Sequence, residues 1–127
     1  MSLPVEDKSV AEWKKSAHHG AKEWVSERLT SIILIPLVIW AVGWGVQLSH
    51  AGYDAALAFA RRPLHAGLIG VLALVSCWHM YMGLKVVIDD YVAKPALNGV
   101  FSFLAFALSA GLFLATAAAL YLVNQGT

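Results

Sequence analysis

Three long apolar stretches dominate the sequence, at residues 29–48, 64–88 and 100–123. The first and third contain no charged residue, and the second contains only Lys85, close to its carboxyl end. A helix of about 20 residues rises roughly 30 Å, which matches the hydrocarbon thickness of a bilayer. Stretches of this length and polarity are typical of membrane-spanning helices. The sequence therefore predicts an all-α integral membrane protein with three transmembrane helices.

The composition supports this class and argues against a soluble domain. Of the 127 residues, 59% are hydrophobic and 13% are charged, which is about half the charged share that is usual in soluble domains. So few charges do not cover the surface of a soluble protein of this size. The net charge is only +1, and no basic cluster resembles a phosphate-binding face, so we expect no nucleic-acid partner.

The polar segments predict how the chain is arranged in the membrane. Residues 1–27 are expected to form an interfacial amino-terminal segment and residues 28–127 the membrane anchor, with a short amphipathic surface helix within the link 49–62. Seven basic residues lie on the amino-terminal side and two on the opposite side: Lys8, Lys14, Lys15, Lys22, Arg28, Lys85 and Lys94 against Arg61 and Arg62. Because Lys and Arg are enriched in cytoplasmic loops, the amino terminus is predicted to be cytoplasmic and the carboxyl terminus to lie outside.

Polar residues inside the second span are costly in hydrocarbon and therefore indicate function. His79 precedes Asp90 by eleven residues, which corresponds to about 16 Å along a helix and to within about 20° of one face. His79 is thus expected near the membrane midplane, and Gly83, one turn away, leaves room for a flat and wide group. Two interpretations of His79 stay open: axial ligation of a haem between helices, or a hydrogen bond to a neighbouring helix. His65 lies too far along the axis to bind the same iron.

Three further candidate residues lie at the ends of the spans. Tyr91 and Asp90 stand side by side at headgroup depth, where a phenol is suited to hydrogen-bond a quinone carbonyl and a carboxylate to relay a proton. The alternative is an ordinary helix end with a solvated carboxylate and a Tyr in the aromatic belt, and we favour that alternative for Asp89. Arg28 is suited to hold an anionic group such as a haem propionate, or else it extends towards the headgroups.

Two blocks of sequence resemble the membrane-anchor D subunit of succinate dehydrogenase, respiratory complex II. The first is EWVSERLTSIIL at residues 23–34, in which an Arg precedes a helix start with small residues. The second is HMYMGLKVVIDDYV at residues 79–92, in which Gly follows the His after three residues and Asp-Tyr occupies the eleventh and twelfth positions after it. The resemblance extends over nearly the whole chain from Lys22 onward. Some members carry a His where this chain has Lys22; His18 and His19 are out of register with it.

The resemblance implies a set of cofactors and partners. It implies that His79 is one axial ligand of haem b, that a cytochrome b556-type C subunit supplies the other, and that Gly83 packs against the haem. Asp90 and Tyr91 are implied at the ubiquinone site, and Arg28 near the haem propionates or the quinone entrance. The other implied partners are an iron–sulfur subunit, a flavoprotein subunit that holds the succinate site, and membrane lipid. The implied location is the bacterial inner membrane, with a periplasmic carboxyl terminus.

The implied function is that of an anchor subunit through which electrons from succinate oxidation reach ubiquinone. The chain by itself is expected to catalyse nothing. The alternatives are the anchor subunit of a related quinol:fumarate reductase, another small b-type cytochrome, and a membrane scaffold or transporter component without a cofactor.

Overall fold

The computed structural model describes the backbone of residues 10–126 and the side chains of residues 21–126. Four helices follow one another along the chain: α1 (Val10–Ala51), α2 (Tyr53–Arg61), α3 (Pro63–Tyr91) and α4 (Pro95–Asn124). Within the described residues, α1, α3 and α4 are long and apolar enough to cross a membrane. The predicted all-α class with three spans is therefore confirmed, and α2 is the short helix expected in the first link.

Proline and glycine mark the points at which the helices begin and end. Pro63 and Pro95 occupy the first positions of α3 and α4, where the missing N–H costs nothing and the fixed φ favours a helix start. Gly52 separates α1 from α2 and has a φ of 87°, a left-handed conformation that glycine adopts without steric penalty. These short turns place consecutive spans next to each other.

Helix α1 continues without a break from the amino-terminal segment into the first span. Its 42 residues rise about 63 Å, roughly twice the thickness of the hydrocarbon core. The predicted boundary after residue 27 is therefore not marked by a change in backbone structure, and the interfacial role of residues 1–27 stays a prediction. The predictions made for residues 1–9 and for the side chains of His18 and His19 lie outside the described residues.

The three spans form an open layer in which α3 is the central helix. It packs against α1 on one side and α4 on the other, and within residues 10–126 α1 and α4 are not neighbours. Among the described side chains only those of Ala105 and Ser109, both on α4, are buried, while large apolar side chains are exposed on every span. Such a surface requires cover by lipid or by other protein.

A cluster of rings joins α1, α2 and α3 at the end of α3 opposite to Asp90. The ring of Phe59 stacks on that of His65 with a centroid distance of 3.9 Å, and Nδ1 of His65 lies 3.2 Å from the Phe59 carbonyl oxygen. Trp40 and Trp44 lie against this pair, with ring centroids between 4.9 and 6.1 Å apart. His65 is therefore engaged in packing between helices.

Candidate functional site

His79 contacts α1 through the hydroxyl of Thr30. Its Nδ1 lies 2.8 Å from Thr30 Oγ1, a contact between residues 49 positions apart that joins α1 to α3. The same Oγ1 donates to the carbonyl oxygen of Ser26 at 2.9 Å and lies 3.0 Å from that of Glu27. The imidazole is half-buried and forms no other hydrogen bond with the described residues. One ring nitrogen is thus used between helices, as one interpretation predicted, and the other remains available as a ligand.

The surroundings of His79 leave room for a haem on the side of α3 that carries Gly83. A Cβ built on Gly83, one turn further along α3, meets no atom of the described chain within 4 Å. The space beside Gly83 is therefore not occupied by the described part of this chain. The described residues contain no group of three or more His, Cys, Asp and Glu arranged for a metal ion. Since a haem iron accepts a single axial imidazole from one helix, the chemistry of His79 fits one ligand of such an iron.

Asp90 and Tyr91 form the exposed end of α3. Helix α3 is continuous from His79 to Asp90. His79 and Asp90 therefore share a face of this helix and lie about 16 Å apart along its axis. Tyr91 is 85% exposed, and neither Asp90 nor Tyr91 has a hydrogen-bond partner among the described residues. Both side chains are free to contact a substrate or another subunit, and their roles at a quinone site stay predictions.

Asp89, which we expected to be an ordinary solvated helix end, belongs to a polar cluster that joins α3 to α4. It accepts hydrogen bonds from Lys85, one turn earlier, and from Asn98 Nδ2 at 3.0 Å. Asn98 Nδ2 also lies 3.3 Å from the Val92 carbonyl oxygen, and Ser102 donates to Asn98 Oδ1 at 3.2 Å. Asp89 is exposed, as expected, but it also fixes the turn between these spans.

Arg28 lies away from the contact between His79 and Thr30. Its guanidinium is 5.2 Å from the ring centroid of Trp24. Because it precedes Thr30 by two residues, it lies about 200° round α1 from it. Within this chain Arg28 and His79 are therefore not brought together. A contact between Arg28 and a haem propionate involves a group outside the chain and stays a prediction.

A cleft of about 430 Å³ lies between α1 and α3 beside the contact of Thr30 with His79. It is lined by polar residues of α1 and by polar, aromatic and apolar residues of α3: Lys22, Glu23, Ser26, Glu27, Trp78, Tyr81, Met82, Lys85, Val86 and Asp89. Neither Tyr81 nor Thr30 is among the residues predicted from the sequence. A hydroxyl in the first span was the only available signal for Thr30, and nothing in the sequence pairs it with His79.

The fold and the site together define a helical membrane anchor with one histidine held between two spans and an exposed acid–phenol pair. Residues 9–121 match the family described as succinate dehydrogenase/fumarate reductase transmembrane subunit. The chain belongs to this family, and the expected membership is confirmed.

Curated relatives agree with this assignment. The chain is 25% identical over 83 residues to a succinate dehydrogenase hydrophobic membrane anchor subunit of Rickettsia bellii, covering 65% of this chain and 66% of the relative, just under two thirds of that protein. It is 26% identical over 88 residues to the protein of the same name from Rickettsia felis, covering 69% and 73% of the two chains. No solved structure is a significant match.

Proposed function

We propose that the chain is the anchor subunit of a succinate dehydrogenase that binds haem b between itself and a second anchor subunit and forms part of the ubiquinone-reduction site. The observation that carries the proposal is the state of His79. Its Nδ1 is bonded to Thr30, which leaves Nε2 as a ligand beside the open face at Gly83. The names of the Rickettsia relatives support the choice of succinate dehydrogenase within the family.

The residues of this chain supply one side of the haem site. His79 provides one axial nitrogen, and a cytochrome b556-type C subunit provides the other. Gly83 leaves space for the porphyrin, and Arg28 pairs with a propionate carboxylate at the membrane surface. When bound, haem b supplies a one-electron carrier. Thr30 and the packing of α1 against α3 hold the imidazole in place for it.

The quinone site lies where α3 ends. Electrons arrive from the iron–sulfur subunit, which receives them from the flavoprotein subunit that oxidises succinate. Ubiquinone takes up two electrons and two protons to become ubiquinol. Tyr91 donates a hydrogen bond to a quinone carbonyl, and Asp90 delivers protons from the aqueous side. The exposure of both side chains supports this role, since the remaining walls of the site are formed by other subunits.

The proposed location is the bacterial inner membrane, with a cytoplasmic amino terminus and a periplasmic carboxyl terminus. The excess of Lys and Arg at the amino terminus and in the turn between α3 and α4 supports this orientation. It also places Asp90 and Tyr91 on the side where soluble partner subunits hold their redox centres and where protons enter from the cytoplasm.

The test is His79→Ala in the complex purified in mild detergent. We expect loss of the b-type absorbance, because the second ligand alone does not hold the haem. His50→Ala is the matched control, since His50 is exposed at the last turn of α1, and it should leave the spectrum unchanged. Unaltered haem content in His79→Ala would overturn the proposal. Co-purification of flavoprotein and iron–sulfur subunits, with succinate oxidised faster than fumarate is reduced, separates succinate dehydrogenase from a fumarate reductase.

A further inference from the structure

The hydroxyl of Thr30 lies in contact with three polar groups, and only one of them is able to donate to it. The carbonyl oxygens of Ser26 and Glu27, at 2.9 and 3.0 Å from Oγ1, are acceptors only. The third neighbour is Nδ1 of His79 at 2.8 Å. A hydroxyl has one proton to give and two lone pairs that accept.

The position of that proton determines the tautomer of His79. If the Thr30 proton pointed at Nδ1, Oγ1 would face two carbonyl oxygens at hydrogen-bond distance without a proton between them, which is repulsive. The proton therefore lies towards the carbonyl oxygens of the preceding turn of α1, and a lone pair of Oγ1 faces His79. Nδ1 must then carry the proton and donate to Thr30. In a neutral imidazole this leaves Nε2 unprotonated.

We infer that Thr30 is the positioning residue that fixes the tautomer and ring orientation of His79 so that Nε2 is presented as a metal ligand. The inference rests on the proposed role of His79 as haem ligand. Histidine ligands almost always donate their second ring N–H to an acceptor, which orients the ring and raises its basicity. Here the acceptor is a hydroxyl on a different helix, so the ligand geometry depends on the packing of α1 against α3. Carbonyls of α1 orient the hydroxyl in turn.

The test compares Thr30→Val with Thr30→Ser in the purified complex. Val keeps the branched shape and removes the hydroxyl, while Ser keeps the hydroxyl and removes the methyl group. In Thr30→Val we expect transfer of haem to excess apomyoglobin to be about 10- to 100-fold faster, the range typical of lost partners of metal ligands. The haem midpoint potential should rise, because a less basic imidazole stabilises ferric iron less, and the low-spin EPR g values should shift with the ring orientation. Thr30→Ser should stay close to wild type in all three measurements.

Ser31→Ala is the matched control. Ser31 is the next residue on α1 and donates to the Glu27 carbonyl at 2.8 Å, but it does not contact His79. It should leave haem transfer, potential and g values unchanged. If Thr30→Val lowers the yield of complex, Thr30→Ala removes the same hydroxyl with a smaller side chain and gives the same comparison.

The outcomes separate this inference from the proposed function. Wild-type haem transfer, potential and g values in Thr30→Val would overturn it, as would a Thr30→Ser variant that behaves like Thr30→Val. Either result leaves the proposed function standing when His79→Ala still loses the haem. Retention of haem by His79→Ala defeats the proposed function itself, whatever the Thr30 variants do.

Discussion

Gly83 provides a sharp test because a Cβ added at this position meets no atom of the described residues within 4 Å. Replacing an interior helix glycine by alanine stabilises a helix by about 0.8–1 kcal/mol. Gly83→Ala and Gly83→Leu are therefore expected to preserve α3. A haem lying beside Gly83 would occupy the space that the leucine side chain needs. Overpacking of this kind costs about 1–3 kcal/mol, which corresponds to haem binding about 5- to 140-fold weaker.

The assay measures haem per complex from pyridine haemochrome absorbance, together with the amount of assembled complex. Gly67→Leu is the control on the same helix, since a Cβ at Gly67 also meets nothing within 4 Å. Gly67 precedes Gly83 by sixteen residues and so lies about 160° away round α3. We expect Gly83→Leu to assemble with reduced haem and Gly67→Leu to retain it. Full haem content with an unshifted spectrum in Gly83→Leu would refute the argument that this space belongs to the haem.

Three further predictions concern other parts of the chain. Tyr91→Phe should lower the rate of quinone reduction about tenfold, which corresponds to the free energy of one hydrogen bond, and should leave the haem content unchanged. Wild-type quinone kinetics would contradict this prediction. Ser109→Ala should stabilise the complex by about 1 kcal/mol and so raise its thermal midpoint, because the buried Ser109 hydroxyl has no partner among the described residues. A lower midpoint would show that this hydroxyl is hydrogen-bonded in the complex. In a Cys77→Ser background, an impermeant thiol reagent applied to intact spheroplasts should label Tyr53→Cys but not Lys94→Cys, and the reverse pattern would invert the proposed orientation.

The class of the fold was predictable because bilayer thickness sets a simple length requirement. Each of the stretches 29–48, 64–88 and 100–123 lies within one of the observed spanning helices. The helix start at Pro63 follows from the chemistry of proline, whereas Pro95 and Asn98-Gly99 were predicted to lie in a turn and instead belong to the first turns of α4. The continuation of α1 through residues 10–27 was not predicted, because polar residues at the end of a span form a helix as readily as a separate segment.

The partner of His79 was not predictable, because the relative heights of two spans depend on how their helices pack. The apolar stretch of the first span starts at Leu29, which puts Thr30 next to its end, whereas His79 was expected near the membrane midplane. The structure brings these two side chains together. Apolarity alone does not locate the membrane boundary, because a long basic side chain such as that of Lys22 can reach the headgroups from within the apolar layer.

The arrangement of the spans explains why the candidate site lies on one side of α3. Counted at about 100° per residue from His79, Gly83 and Asp90 lie within about 40°, whereas Tyr81 lies about 200° away. Tyr81 contacts Phe106 of α4, and His79 contacts α1 at Thr30. Gly83 and Asp90 lie on the same side of α3 as His79 but further along the helix, and both are exposed. An open layer of three helices thus leaves this part of α3 accessible, and the proposed second anchor subunit would complete the site by packing against it.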